Sequence, residues 1–191
     1  MSGLTIYIDF KSPASYLALK PTLQLLGEFD VETCWLPYRT SQRRLPEARP
    51  NETRGETHIR VREIARRDIH EKYAAIQGTP INFRDDPGQT DMALAALLHV
   101  SSDPTDFIAA AFRAYWLENL DLNDAKVVTG LLDQHGHDVS GFDQRALLDE
   151  LDSQQIPIEE LGVVDTPAYV HGGQIFIGRE HMPWLRELLG A

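Results

Sequence analysis

Strand-like segments in this chain are confined to its two ends, with about 120 residues of helical pattern between them, far more than an ordinary connection holds. Leu4-Thr-Ile-Tyr-Ile-Asp-Phe10 is rich in β-branched and aromatic residues and reads as a strand. Ser12-Pro13 follows. Serine before proline predicts a helix start, since the serine oxygen can accept from a free amide and proline suits the first helical position. That helix should run from Pro13 to Leu26, kinked near Pro21, before a second strand from Val31 to Leu36. Strands return only at Ala168–Val170 and Gln174–Ile177, joined by His171-Gly172-Gly173 as a tight hairpin, and a helix from Glu180 to Leu189 closes the chain.

Between these ends the pattern predicts helices over Glu56–Gln77, Asp91–Val100, Pro104–Glu118, Asp124–His135 and Phe142–Leu151. Asp103 and Asn123 are the expected caps of the third and fourth. A β-α-β unit first and a β-β-α unit last predict an α/β, thioredoxin-like fold with a large all-helical insertion. The chain is expected to form one domain over 1–191, with its core at about 1–38 and 163–191 and the insertion at about 39–162.

Composition narrows the function. With 42% hydrophobic and 25% charged residues, the chain has the balance of a soluble globular protein. A net charge of −11 would repel a phosphate backbone, so nucleic acid is excluded as a partner. The longest apolar runs, such as Met92–Val100, are about half of what a membrane span needs, and the amino end lacks the basic and apolar regions of a leader. A lone cysteine, Cys34, rules out an internal disulfide, a CxxC pair and a thiolate-rich metal site, and fits a reducing cytoplasm. On its strand beside Trp35, Cys34 reads as a buried small hydrophobe. His135-Gly-His137-Asp138 has the residue types of a metal site, but it follows a helix stop with no third ligand region and reads as an exposed loop; no metal is expected.

Three places could carry chemistry. Ser12 lies between the first strand and first helix, where oriented amides and the helix dipole stabilise an anion. A hydroxyl and a helix terminus together lower the pKa of a thiol placed there, and an external thiol is the natural complement to a site without cysteine. Thr166-Pro167 enters the third strand, where a cis proline would expose the preceding backbone for pairing with an extended ligand. Residues 39–72 hold ten of the 18 basic residues and six of the 29 acids, a balance of +4 against −15 elsewhere. This stretch reads either as a solvated helix face laced by pairs such as Glu63 with Arg67, or as a basic wall that attracts anionic ligands. Arg39, just after the second strand, is the expected partner of a substrate carboxylate.

Asp9-Phe-Lys-Ser-Pro-Ala-Ser-Tyr-Leu-Ala18, Phe112-Arg-Ala-Tyr-Trp116, Gly162-Val-Val-Asp-Thr-Pro167 and Phe176-Ile-Gly-Arg-Glu180 resemble, in order, motifs of the DsbA-like thioredoxin family. Within it they look like the branch of 2-hydroxychromene-2-carboxylate isomerases and kappa-class glutathione transferases. The likeness spans nearly the whole chain and is weakest from Arg39 to Gly55. It implies glutathione as cofactor, with Ser12 on its sulfur, Thr166 before a cis Pro167 pairing with its cysteinyl backbone, and Ile177, Gly178, Arg179 and Glu180 holding its γ-glutamyl end. Glu180 would face the amine. Tyr115 and Trp116, core residues by their helical spacing, would lend a ring to the substrate pocket. The resemblance further implies a small-molecule electrophile as substrate and a homodimer. Asp165 and Thr166 stand where glycine and valine are usual in the family. The rival expectation is a non-catalytic thioredoxin-like module that holds a peptide strand against the proline loop.

Overall fold

The computed structural model describes residues 3–41 and 44–190; Arg43, counted above in the basic stretch, and the first two residues and the last residue of the expected domain lie outside them. Strand β1 (Leu4–Ile8) leads into helix α1 (Pro13–Leu26) and returns as β2 (Thr33–Pro37). Helices α2 (Arg54–Gln77), α3 (Asp91–His99), α4 (Thr105–Trp116), α5 (Ala125–Gln134) and α6 (Gln144–Glu160) follow. The chain ends with β3 (Ala168–His171), β4 (Gln174–Ile177), a 3₁₀ turn at Arg179–His181 and α7 (Met182–Leu189). The four strands form one sheet in the order β2-β1-β3-β4. β1 pairs parallel with β2 and antiparallel with β3, and β3 pairs antiparallel with β4. This is the expected α/β arrangement with its helical insertion.

Local chemistry accounts for most boundaries. Ser12 caps α1, its hydroxyl accepting from Ser15 N, with Pro13 in the first turn. Thr53 and Glu56 form a reciprocal capping box at the start of α2, and Gly78 stops it in the left-handed conformation (φ 62°). Gly172 and Gly173, at φ 56° and 76°, make the two-residue turn that right-twisted strands favour. Asp124 rather than Asn123 caps α5, because its carboxylate reaches Lys126 N. α6 runs past the expected end at Leu151 and through Pro157 to Glu160. Tertiary packing extends it: Ile158 joins Tyr7, Tyr38, Val163 and Ala168 in a small cluster on one side of the sheet.

The main core binds the insertion to the sheet. α3 is apolar all round, with Met92 to Leu97 buried, and packs against α5, α6 and β2. On α4, Phe107, Ile108, Ala111, Phe112, Tyr115 and Trp116 form the buried stripe. Phe10 meets Phe107 and Phe112 edge-on, with ring centroids at 6.0 and 5.2 Å. Tyr16 of α1 stacks on Trp116 at 5.6 Å, and the Trp116 indole donates to the Phe10 carbonyl at 3.0 Å. Aromatic pairs of this kind contribute about 0.5–1.5 kcal/mol beyond the area they bury. They fix the end of β1 and the start of α1 against α4.

Cys34 departs from expectation. β2 is an edge strand whose alternation turns Trp35 inward, so Cys34 faces solvent rather than the core. Partial burial, and then Glu32, raise its thiol pKa, which keeps it protonated and unreactive at neutral pH.

Candidate functional site

Behind the turn after β1 lies Asp9, fully buried, and its carboxylate organises three segments. It accepts from Thr40 N and Thr40 Oγ1, from Thr90 Oγ1 and from Lys11 N, at 2.7–3.2 Å. Burial pushes the Asp9 pKa up, while the Lys11 charge and the hydrogen bonds from Thr40 and the Lys11 amide oppose the shift. The turn is thereby tied to the chain after β2 and to the start of α3. Ser12 then projects its hydroxyl toward the proline loop.

The Thr166–Pro167 bond is cis. Ser12 Oγ donates to the Thr166 carbonyl at 3.3 Å, joining the start of α1 to the loop before β3. Both residues are almost fully buried and both line a cavity of about 1000 Å³. Its walls come from the α1 start, from α2 through Glu63, Arg66, Arg67, His70 and Tyr73, from Phe83 to Pro87, from Tyr115 and Trp116, and from the segment between β4 and α7. Among the described residues six cationic side chains and five carboxylates face it, so an acidic chain surrounds a site with a slight excess of positive charge.

Of the residues expected to form the site, Ser12, Tyr115, Trp116, Thr166, Ile177, Gly178, Arg179 and Glu180 all line this cavity. Pro167 lies directly behind it, its carbonyl accepting from Gly178 N at 2.8 Å and so pinning the β4 end to the proline loop. Gly178 adopts φ 93°, ψ 154°, a conformation open essentially to glycine alone, and a Cβ there would lie 2.5–2.6 Å from the Glu180 carboxylate. Arg179 lies over the Tyr73 ring at 4.1 Å. Tyr115 and Trp116 are core residues whose edges reach the cavity; the Tyr115 hydroxyl donates to the Pro87 carbonyl at 2.8 Å.

Arg39 is elsewhere. Its guanidinium is held by Asp152 at 2.7 Å and Asp91 at 3.1 Å, clamping α6 to α3 outside the cavity lining. Two carboxylates flank the charge that was expected to meet a substrate. The basic stretch divides in the same way. Arg60 makes a bidentate pair with Glu52, Arg49 pairs with Glu56, and Glu63 meets Arg66 rather than Arg67, which turns to Glu71. Arg66 and Arg67 also line the cavity, so part of the stretch faces the cavity while the rest is a solvated face.

Sequence reasoning passed over His70, Lys11 and the direct part taken by Asp165. His70 lines the cavity, and burial, followed by the Arg66 charge, lowers its pKa, with Asp165 opposing and Arg179 adding to the effect. The available signal was the spacing of Glu63, Arg66, His70 and Tyr73 along one side of a helix on which Ile59, Val61, Ile64 and Ile76 are exposed. Asp165 Oδ1 accepts from Thr166 N at 2.8 Å, and its other oxygen lies 3.6 Å from Arg66. A carboxylate therefore occupies the amide that an extended ligand would use.

These residues fit glutathione. Among the described residues Thr166 Oγ1 and Arg179 Nη1 are buried without a hydrogen-bond partner, next to a helix start and among cations, as suits a small peptide with two carboxylates. Asp165 is the group such a ligand would have to displace. Metal is a different matter: among the described residues no group of His, Cys, Asp and Glu is arranged to hold one. Nor is any described helix long and apolar enough to cross a membrane.

Comparison with solved structures gives the same fold. A 2-hydroxychromene-2-carboxylate isomerase superimposes with a TM-score of 0.71 at 17% identity, covering 98% of this chain and 94% of that one. A probable DsbA oxidoreductase from Streptomyces coelicolor gives 0.69 at 20% identity, covering 99% and 88%. The cytosolic disulfide reductase DsbM from Pseudomonas aeruginosa, solved with GSH, gives 0.59 at 15% identity, covering 98% and 97%. No curated protein matches in sequence. A family model does match, over residues 3–190, and with the β-α-β and β-β-α units joined at a cis proline it places the chain in the DSBA-like thioredoxin domain family.

Proposed function

We propose that this protein is a cytoplasmic, glutathione-dependent isomerase or transferase acting on an aromatic or carboxylated electrophile. The observation that carries the reading is Ser12, a hydroxyl at a helix start that meets the proline loop in the lining of a large cavity, where a dithiol enzyme would carry cysteine. The only cysteine, Cys34, is on the outer face of an edge strand. Thiol–disulfide exchange by the chain itself has no nucleophile here.

When bound, glutathione supplies the thiol sulfur that attacks the electrophile. Ser12 donates a hydrogen bond to that sulfur in place of the Thr166 carbonyl, and the dipole of α1 adds positive potential at its start. The Thr166 main chain pairs with the ligand backbone once Asp165 swings aside. Arg179 and the amides after Gly178 receive its γ-glutamyl carboxylate, and Glu180 its ammonium. Phe83, Tyr115 and Trp116 shape the apolar half of the cavity, which favours a flat electrophile and keeps water from the sulfur.

The test is a glutathione-dependent turnover assay over a panel of aromatic α,β-unsaturated carbonyl compounds, with and without carboxylates. Consumption that requires glutathione and drops in Ser12→Ala supports the reading. Turnover equal in both proteins, or none across the panel, contradicts it.

A further inference from the structure

Among the described residues three cations of the cavity, Lys11, Arg84 and Arg179, make no salt bridge, and Lys11 is the one next to Ser12. Lys11 sits between Phe10 and Ser12, with its backbone N–H held by Asp9. Only 5% of the residue is exposed, and it lines the cavity. Among the described residues its ammonium has one hydrogen-bond partner, the neutral side-chain oxygen of Gln89 at 3.2 Å. An ammonium carries three donors, so two remain for a ligand.

Three neighbouring cations have partners, although Arg84 Nε is buried without one among the described residues. Arg84 donates to the carbonyls of Tyr115 and Leu120 and stacks on the Tyr115 ring at 3.9 Å. Arg67 pairs with Glu71 and covers Phe83 at 4.6 Å. Arg44 pairs with Asp86. The Asp9 carboxylate behind Lys11 spends its oxygens on Thr40, Thr90 and the Lys11 amide. The Asp9 charge acts on Lys11 from behind, but the ammonium's one hydrogen bond among the described residues is to a neutral oxygen, and a carboxylate in the cavity is the ligand that would best use its open donors.

Aromatic surface lies in the same cavity. Phe83 and Tyr115 each meet the Trp116 ring edge-on, at 5.7 and 4.9 Å, and all three line the space that Lys11 lines. We propose that Lys11 is the residue that selects the substrate: it binds the carboxylate of a flat aromatic acid whose ring lies against Phe83, Tyr115 and Trp116, one residue from Ser12. The task expected of Arg39 thus falls to Lys11. This assignment rests on reading the cavity as the electrophile pocket.

Binding of cinnamate and of its neutral amide, cinnamamide, to the full chain without glutathione tests it by calorimetry. The wild type should bind cinnamate at least about tenfold more tightly than the amide, as a charge-assisted hydrogen bond in a partly buried site gives. Lys11→Met should bring the acid down to the amide's affinity and leave the amide unchanged, whereas Lys11→Arg should keep part of the preference. Lys11→Gln supports the same comparison if the methionine variant folds poorly. An acid-to-amide ratio unchanged in the variant, a ratio near one in the wild type, or no cinnamate binding overturns the assignment. Glutathione titrated separately tells the two readings apart. Glutathione binding without acid preference removes Lys11 alone; acid preference without glutathione binding retains Lys11 and removes the thiol chemistry.

Discussion

Ser12 Oγ and the Thr166 carbonyl are 3.3 Å apart although they lie 154 positions apart in the chain, and the contact joins the two halves of the sheet unit in the lining of the cavity. The same Ser12 oxygen accepts from Ser15 N, so the hydroxyl is oriented from both sides. Replacing Ser12 by Ala removes the cap, costing about 1 kcal/mol of stability, and removes the donor to a thiolate. Glutathione-dependent turnover should fall by about tenfold to a thousandfold with modest loss of glutathione affinity. Ser12→Gly, which costs only a few tenths of a kcal/mol as a cap, should lose as much turnover, and steady-state kinetics of both variants check this.

Asp165 makes the opposite prediction. Its carboxylate holds the Thr166 N–H and faces Arg66, so it competes with a ligand for both. Asp165→Gly should therefore bind glutathione several-fold more tightly, measured by calorimetry, with most of the gain in slower dissociation. Equal or weaker binding would mean that the ligand does not use the Thr166 amide.

His70 gives a pH signature. Burial and Arg66 lower its pKa in the folded chain, so below the ordinary value of about 6.5 the unfolded chain takes up a proton that the folded one resists. Its contribution to stability is present above that pH and is lost as pH falls toward the folded pKa. His70→Gln should flatten the decline in denaturant midpoint over that window, and a slope unchanged from wild type would contradict the burial argument.

Gly178 is required by its backbone. At φ 93°, ψ 154° an alanine costs about 1–3 kcal/mol, and its Cβ would push aside the Glu180 carboxylate. Gly178→Ala should lower the unfolding temperature and weaken glutathione binding together. Glu180→Gln should weaken binding while leaving the unfolding temperature close to wild type.

How far the sequence could be read depended on the range of the interactions concerned. Ser12-Pro13 and the Gly172-Gly173 turn are local signals, and the elements they bound form where expected, whereas the Thr53–Glu56 capping box starts α2 at Arg54, two residues before the expected Glu56. The β-α-β and β-β-α ends likewise announce the sheet order. Arg39 was misread because the carboxylates that hold it, Asp91 and Asp152, are distant in sequence and meet it only when α3 packs on α6. The same packing carries α6 through Pro157, since Ile158 finds a buried seat. Cys34 follows a two-residue period, but which face of an edge strand is covered depends on elements that local pattern does not place. Lys11 was in view within the Ser12 motif; its neutral partner Gln89 was not.

Titration of glutathione into the wild-type protein near neutral pH, in two buffers of different ionisation enthalpy, tests the central claim most directly. Free thiols have a pKa of about 8.5, so activation at Ser12 must release protons on binding. The account predicts saturable binding with proton release, which disappears with S-methylglutathione and shrinks in Ser12→Ala. Absence of binding up to millimolar glutathione, or binding without proton release, would contradict it and leave the peptide-holding module as the better description of this fold.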